Sequence, residues 1–193
     1  MKFQRITITF LLILAPFCVM AQKWYTSDVD EKVDNILRKM TVKEKLSYIG
    51  GIDWMYTRNI DRLGIPRMKM SDGPQGLGTH GQSTAYPATV LLAATWNEDL
   101  AYEYGKSLGR DCRARGINVL LGPAVNIYRA PMCGRNFEYM GEDPYLAARI
   151  STGYIKGVQD QGIMAVIKHF SANNSDYDRH EISNDIDERT LHE

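Results

Sequence analysis

The chain has 193 residues, about the size of one domain, and 44% of them are hydrophobic, so a core can form. Its 23 basic residues are matched by 23 acidic residues. This balance gives no sign of a polyanionic partner, and we expect no nucleic-acid binding.

The N-terminus has the pattern of a secretory signal peptide. Lys2 and Arg5 precede an apolar run over residues 8–17, and small residues follow it. The run is shorter than the roughly 20 residues that span a membrane, so we expect no stable membrane anchor. The sequence predicts a signal peptide at 1–21, a domain at 22–193, and a periplasmic or secreted protein.

Two cysteines, Cys112 and Cys133, remain in the predicted mature chain. A disulfide is permitted in an exported protein, but two free thiols fit the sequence equally well. The chain has no CxxC and no His/Cys spacing of a zinc site, so we expect no metal. It also lacks the glycine-rich nucleotide motifs, so we expect no cofactor.

Helical patterns alternate with short apolar runs along the chain. Residues 33–49 predict two helices, the second capped by Thr41 with Glu44 as its capping-box partner. Further helices are predicted at 97–115 and 145–161, each closed by a glycine.

The apolar runs predict three strands, at 67–71, 117–121 and 164–168. Strands separated by helices imply parallel pairing within an α/β fold. The residue pattern alone is compatible with an open doubly wound sheet and with a TIM (β/α)8 barrel.

Polar side chains follow each predicted strand. Asp72 comes just past the first, a long polar loop with Arg135 follows the second, and Lys168 and His169 end the third. The carboxyl ends of parallel strands are where such folds bind ligands. This mixed set of donors and acceptors suits the vicinal hydroxyls of a sugar, and Asp72 would repel an anionic ligand.

Simpler interpretations exist for each candidate. Asp72 could be only a turn residue before Gly-Pro, and Lys168 with His169 only a surface pair. Arg135 could form a structural salt bridge to Glu138 or Asp143. Arg179 could reach the site or only pair with a neighbouring aspartate, Asp176 or Asp178.

Three motifs in order resemble glycoside hydrolase family 3, over about residues 30–193. They are Ser71-Asp72-Gly73-Pro74, then Gly134 to Glu138 with Glu142-Asp143-Pro144, then Lys168-His169-Phe170 with Asn173-Asn174. Within the family, the chain looks like the N-terminal domain of the secreted bacterial β-glucosidases. The resemblance implies that the chain is the N-terminal portion of a TIM (β/α)8 barrel.

The resemblance also implies an activity, the retaining hydrolysis of a terminal β-linked glucose through two carboxylates. It assigns Asp72, Arg135, Lys168 and His169 to the sugar hydroxyls, with Arg179 as a further binding candidate. The substrate would be a β-linked oligosaccharide or an aryl β-glucoside. By resemblance, the nucleophilic Asp and the acid/base Glu lie beyond Glu193, so no catalytic residue is expected here and the chain alone should be inactive.

Alternatives within and outside the family stay open. The chain could belong to a β-xylosidase or another family 3 exo-glycosidase, or be a non-catalytic sugar-binding module. Two departures bear on the sugar, because many family members have Arg at the position of Gly78 and Glu at that of Asp176.

Successive residues of a strand point to opposite faces, so Lys168 and His169 cannot both reach one sugar from a regular strand. We therefore expect a bulge or a non-proline cis peptide bond between about His169 and Ala172.

Overall fold

The computed structural model describes residues 27–192, so the predicted signal peptide lies outside the described residues. The described residues divide into two compact units, with the boundary between Met40 and Thr41. In the first, helix α1 spans Ser27–Lys39. It begins earlier than the predicted start at residue 33. Asp28 and Asp30 stabilise its first turn, and Lys32 pairs with Asp28 at 2.7 Å.

The second unit begins with helix α2, Val42–Tyr48. The predicted capping box is confirmed: the Thr41 hydroxyl accepts from the Glu44 backbone N–H, and the Glu44 carboxylate accepts from that of Thr41. A short 3-10 helix follows at Asp61–Leu63.

Three strands form one parallel sheet in the order β1-β2-β3: β1 is Met70–Asp72, β2 is Val119–Leu121, and β3 is Met164–Ala165. Met70 lies opposite Val119, and Val119 opposite Met164. The predicted parallel α/β architecture is confirmed, and the order matches successive repeats of a barrel wall. One detail was wrong: Asp72 is the last residue of β1 and does not lie in the loop after it.

Strand β3 is shorter than the predicted run to Lys168. The interruption lies opposite Pro123, which has no backbone N–H to donate to the ladder. Beyond it, the Lys168 N–H donates to the Pro123 carbonyl at 3.0 Å, and Lys168 pairs with Ala124 in an isolated parallel bridge. The third strand therefore still delivers Lys168 to the carboxyl end of the sheet.

The helices that follow the strands are α3 (Thr89–Ala93), α4 (Glu98–Ala114), α5 (Pro144–Gln159) and α6 (Glu188–His192). Side chains of α4 and α5 bury the main core against β2, including Leu108, Ile150, Tyr154 and Leu120. Within the described residues, no helix combines the length and the apolar character that crossing a membrane requires.

The two cysteines are both buried and unpaired, in different apolar clusters. Cys112 belongs to the main core, and burial raises the pKa of its thiol to about 12. Cys133 packs with Ala124 and Tyr139 in the loop after β2. Of the two possibilities that the sequence allowed, the structure has free thiols.

Candidate sugar-binding site

The carboxyl end of the sheet brings together side chains that are far apart in sequence. Lys168 Nζ donates to Asp72 Oδ1 at 2.5 Å, across 96 positions of the chain. Asp72 ends the outer strand β1 and Lys168 follows the outer strand β3, so the contact passes over the end of β2. Only one carboxylate oxygen of Asp72 has a partner within the described part of the chain.

The turn after β1 fixes Asp72 from the backbone side. The Gly78 N–H donates to the Asp72 carbonyl at 2.7 Å, and the buried Ser71 hydroxyl donates to the same oxygen at 2.9 Å. Gly73 has a φ of 148°, and a Cβ there would lie 1.8 Å from the Gly76 carbonyl oxygen. Only glycine fits that position, which accounts for the glycine of the Ser-Asp-Gly-Pro motif.

The loop after β2 contributes Arg135 and Glu138: Arg135 is the N-cap of a 3-10 helix at Asn136–Glu138, and Glu138 is its last residue. Arg135 Nε donates to Glu138 Oε1 at 2.5 Å. Beneath this helix, the buried Thr89 hydroxyl donates to the Glu138 carbonyl. Thr89, in helix α3, thus anchors the acidic end of the second motif.

Six charged side chains form one continuous series of ion pairs, which we call the ion-pair chain: Asp72, Lys168, Glu138, Arg135, Asp176 and Arg179. After the Asp72–Lys168 contact, Lys168 Nζ lies 3.7 Å from Glu138 Oε2, and Glu138 pairs with Arg135. Arg135 Nη1 lies 4.0 Å from Asp176, which accepts from Arg179 at 3.0 Å. Negative and positive charges alternate along the ion-pair chain, so the formal sum of its six charges is zero.

Burial is greatest in the middle of the ion-pair chain and least at its ends. The side chain of Glu138 is 6% exposed and that of Lys168 is 12% exposed, whereas those of Asp72 and Arg179 are 47% and 44% exposed. Buried charges need counter-charges, so the central pairs hold one another in place. The exposed side chains at the two ends, Asp72 and Arg179, are accessible to a ligand.

The His169 side chain contacts a second group of polar residues, which lies beside the ion-pair chain. Its Nδ1 lies 3.2 Å from both the Tyr139 hydroxyl and Asn126 Oδ1, and its backbone N–H donates to Asn126 at 2.9 Å. Asn126 is buried and also donates to the His169 carbonyl. Asn126 and Tyr139 thus orient the ring.

The irregular backbone expected in this segment is present. The Phe170–Ser171 peptide is cis, within the predicted range, and the Lys168–His169 peptide one bond before that range is also cis. Lys168 reaches Asp72 while His169 reaches Tyr139, so both side chains lie at the same end of the sheet.

The sequence candidates fall into two groups. Asp72, Arg135 and Lys168 lie together, with His169 against the same loop, while Arg179 is exposed at the end of the ion-pair chain. The simpler interpretation of Arg135, a salt bridge to Glu138, also holds, as does the pairing of Arg179 with Asp176.

The sequence predicted Glu138 only as a possible salt-bridge partner of Arg135, and its central position was missed. The three-residue spacing from Arg135 indicates that ion pair but not the contact of Glu138 with Lys168. Asn126 and Tyr139 were also missed as partners of His169. Within residues 27–192, no cluster of His, Cys, Asp and Glu could hold a metal ion.

The pKa of His169 is lowered from its ordinary value of 6.5 to about 4, because burial disfavours the charged ring and the cations Arg135 and Lys168 lie nearby. The ring is therefore neutral at neutral pH. It can donate from one nitrogen and accept at the other.

The low pKa of His169 predicts a pH-dependent stability. Between pH 6.5 and about 4 the unfolded chain takes up this proton before the folded chain does, so the free energy of unfolding falls as the pH falls through that window. Relative to His169→Asn, the wild-type chain should lose stability there and show no such change above pH 7. Urea unfolding from pH 4 to 8 measures it.

His180→Asn, at an exposed histidine, is the matched control. If both variants shift the pH profile equally, His169 is not the group responsible.

Comparisons with known proteins agree on one family. The family model described as "Glycosyl hydrolase family 3 N terminal domain" matches residues 29–193. Beta-glucosidase BoGH3A of Bacteroides ovatus is 41% identical, over 100% of this chain and 29% of its own length. Thermostable beta-glucosidase B of Acetivibrio thermocellus is 41% identical, over 83% of this chain and 23% of its own.

Solved structures give the same result. A family 3 β-glucosidase from Bifidobacterium adolescentis superposes with a TM-score of 0.78 and 38% identity, over 81% of this chain and 23% of its own. DesR, a β-glucosidase from Streptomyces venezuelae solved with D-glucose, gives 0.77 and 39%, over 88% of this chain and 22% of its own. The chain thus spans less than a third of the length of these relatives.

Proposed function

This chain belongs to the glycosyl hydrolase family 3 N-terminal domain, and from that premise we propose that it provides the glucose-binding part of a β-glucosidase active site. The ligand is the terminal glucose of a β-linked oligosaccharide or an aryl β-glucoside. The observation that carries the proposal is the Lys168–Asp72 contact at the carboxyl end of the sheet, which leaves one Asp72 oxygen unpartnered in the described residues.

The charge balance of the ion-pair chain supports a neutral ligand. Three carboxylates and three cations cancel, and His169 is neutral at neutral pH. A neutral polyol can accept from Lys168 and donate to Asp72 without adding uncompensated charge. Relatives with 38–41% identity are β-glucosidases, and one of them was solved with D-glucose.

Each side chain has a distinct role in this proposal. Asp72 accepts hydrogen bonds from ring hydroxyls through its second carboxylate oxygen. Lys168 and Arg135 donate to hydroxyl oxygens from fixed positions, because Glu138 pairs with both. His169 provides a neutral donor, oriented by Asn126 and Tyr139. Rigid, charge-assisted donors of this kind fix the orientation of a sugar.

The proposal predicts that Asp72→Asn weakens sugar binding. Hydrogen bonds to a charged group contribute about 1.5–3 kcal/mol, so the dissociation constant for methyl β-D-glucoside should rise at least about tenfold. Calorimetric titration or ligand-observed NMR measures it. Asp99→Asn, an exposed aspartate in the first turn of α4, is the matched control.

Equal affinity of the wild-type chain and Asp72→Asn would contradict the assignment. Binding of methyl β-D-xyloside as strong as that of the glucoside would favour the β-xylosidase alternative, since xylose lacks the C6 hydroxymethyl group.

The proposal separates binding from hydrolysis. The family resemblance places the nucleophile and the acid/base carboxylate in later motifs, so residues 1–193 should bind the sugar without cleaving it. We expect no turnover of 4-nitrophenyl β-D-glucoside by the 193-residue chain, with the Bacteroides ovatus relative as the positive control. Turnover that Asp72→Asn abolishes would show that this chain holds its own catalytic carboxylates.

Export to the periplasm or the medium belongs to the same proposal. Its support is the basic start and apolar run of residues 1–21. The mature chain recovered from an exporting bacterial host should begin at Gln22 by mass spectrometry. A secreted or periplasmic chain that retains Met1 would rule out this cleavage.

A further inference from the structure

We infer that Glu138 is the specificity-determining residue that keeps the sugar site neutral and so excludes anionic ligands. This inference rests on the proposed function, because it concerns which ligands the same site accepts. Glu138 acts through its neighbours and is therefore a positioning residue.

The position of Glu138 sets it apart from the other carboxylates. It has the most buried side chain of the ion-pair chain, 6% exposed, and it lies between the two most buried cations. One carboxylate oxygen pairs with Arg135, and the other lies 3.7 Å from Lys168 Nζ. It is the one member that joins the cation following β3 to the cation of the loop after β2.

Removing the Glu138 charge would change the site in a defined way. The ion-pair chain would break into Asp72–Lys168 and Arg135–Asp176–Arg179, and its formal charge would rise from zero to +1. Two cations would then face each other with no carboxylate between them. A small oxyanion has the negative charge and the acceptor oxygens needed to bind between these two cations.

The backbone around Glu138 holds this counter-charge in place. Its carbonyl accepts from the buried Thr89 hydroxyl, and the Gln75 side chain donates to the neighbouring Phe137 carbonyl at 2.7 Å. These two hydrogen bonds fix the 3-10 helix at Phe137 and Glu138. The helix therefore holds the Glu138 carboxylate against Arg135 and Lys168. Like charges placed together repel each other, so a fixed carboxylate disfavours the binding of an anion.

The test measures the affinity for methyl β-D-glucoside in 50 mM sodium sulfate and in sodium chloride of the same ionic strength. The probe for anion binding is inorganic sulfate. For the wild-type chain we expect the same affinity in both salts. For Glu138→Gln we expect sulfate to compete and weaken apparent sugar binding at least about tenfold.

Two further variants serve as controls. Glu142→Gln removes the same charge from an exposed position in the same loop and should behave as the wild-type chain does. Glu138→Asp keeps the charge and should restore the resistance to sulfate, which a merely structural role of the side chain would not require.

The double variant Glu138→Gln/Lys168→Gln returns the formal charge to zero. It loses a sugar donor and should bind the glucoside more weakly in both salts, but the ratio of its affinities in chloride and sulfate should return to one. It also covers the case in which Glu138→Gln fails to fold: a folded double variant would identify the unpaired buried cation as the cause.

The results separate this inference from the proposed function. If the wild-type chain binds no sugar in either salt, the proposed function fails. If it binds sugar but sulfate competes with it, or if Glu138→Gln binds sugar equally well in both salts, the role of Glu138 is overturned.

Discussion

A buried lysine needs a counter-charge, and this requirement organises the site. Lys168 follows the third strand with a side chain only 12% exposed, where an unpaired ammonium would be costly. Asp72 at the end of β1 and Glu138 in the loop after β2 meet it. Lys168 thus links the ends of β1 and β3 to the loop after β2, and the local structure follows from these two ion pairs. The Gly73 turn presents Asp72, and Thr89 supports the helix that presents Glu138.

The alternation of charge explains how a site rich in ionic groups can serve a neutral ligand. Lys168 and Arg135 each lie between two carboxylates, and Arg179 pairs with Asp176. The site therefore presents strong donors and acceptors without net charge. The low pKa of His169 belongs to the same arrangement, because a second proton on the ring would be buried beside Arg135 and Lys168. Membership of glycosyl hydrolase family 3 gives this arrangement its proposed ligand, a terminal glucose.

Much of this could be predicted from the sequence, because the governing signals are local. Apolar runs and glycine-closed helical patterns predicted the three parallel strands and the helices, and the Thr41–Glu44 spacing predicted a capping box. The strand-end motifs predicted which elements supply the polar residues. What the sequence could not give was the pairing across the sheet. That Glu138 would be buried between Arg135 and Lys168 depends on the path of a long loop, and a spacing of three residues does not encode it. The shortening of β3 likewise depends on its register against Pro123, which is known only once the strands are paired.

The most direct test is a crystal structure of the chain with saturating methyl β-D-glucoside. We expect the sugar at the carboxyl end of the sheet, with its hydroxyls in hydrogen-bond contact with the second carboxylate oxygen of Asp72 and with Lys168 Nζ, and with the ion-pair chain intact. A sugar bound elsewhere, or bound there only after the contacts of Glu138 with Arg135 and Lys168 are broken, would contradict this expectation.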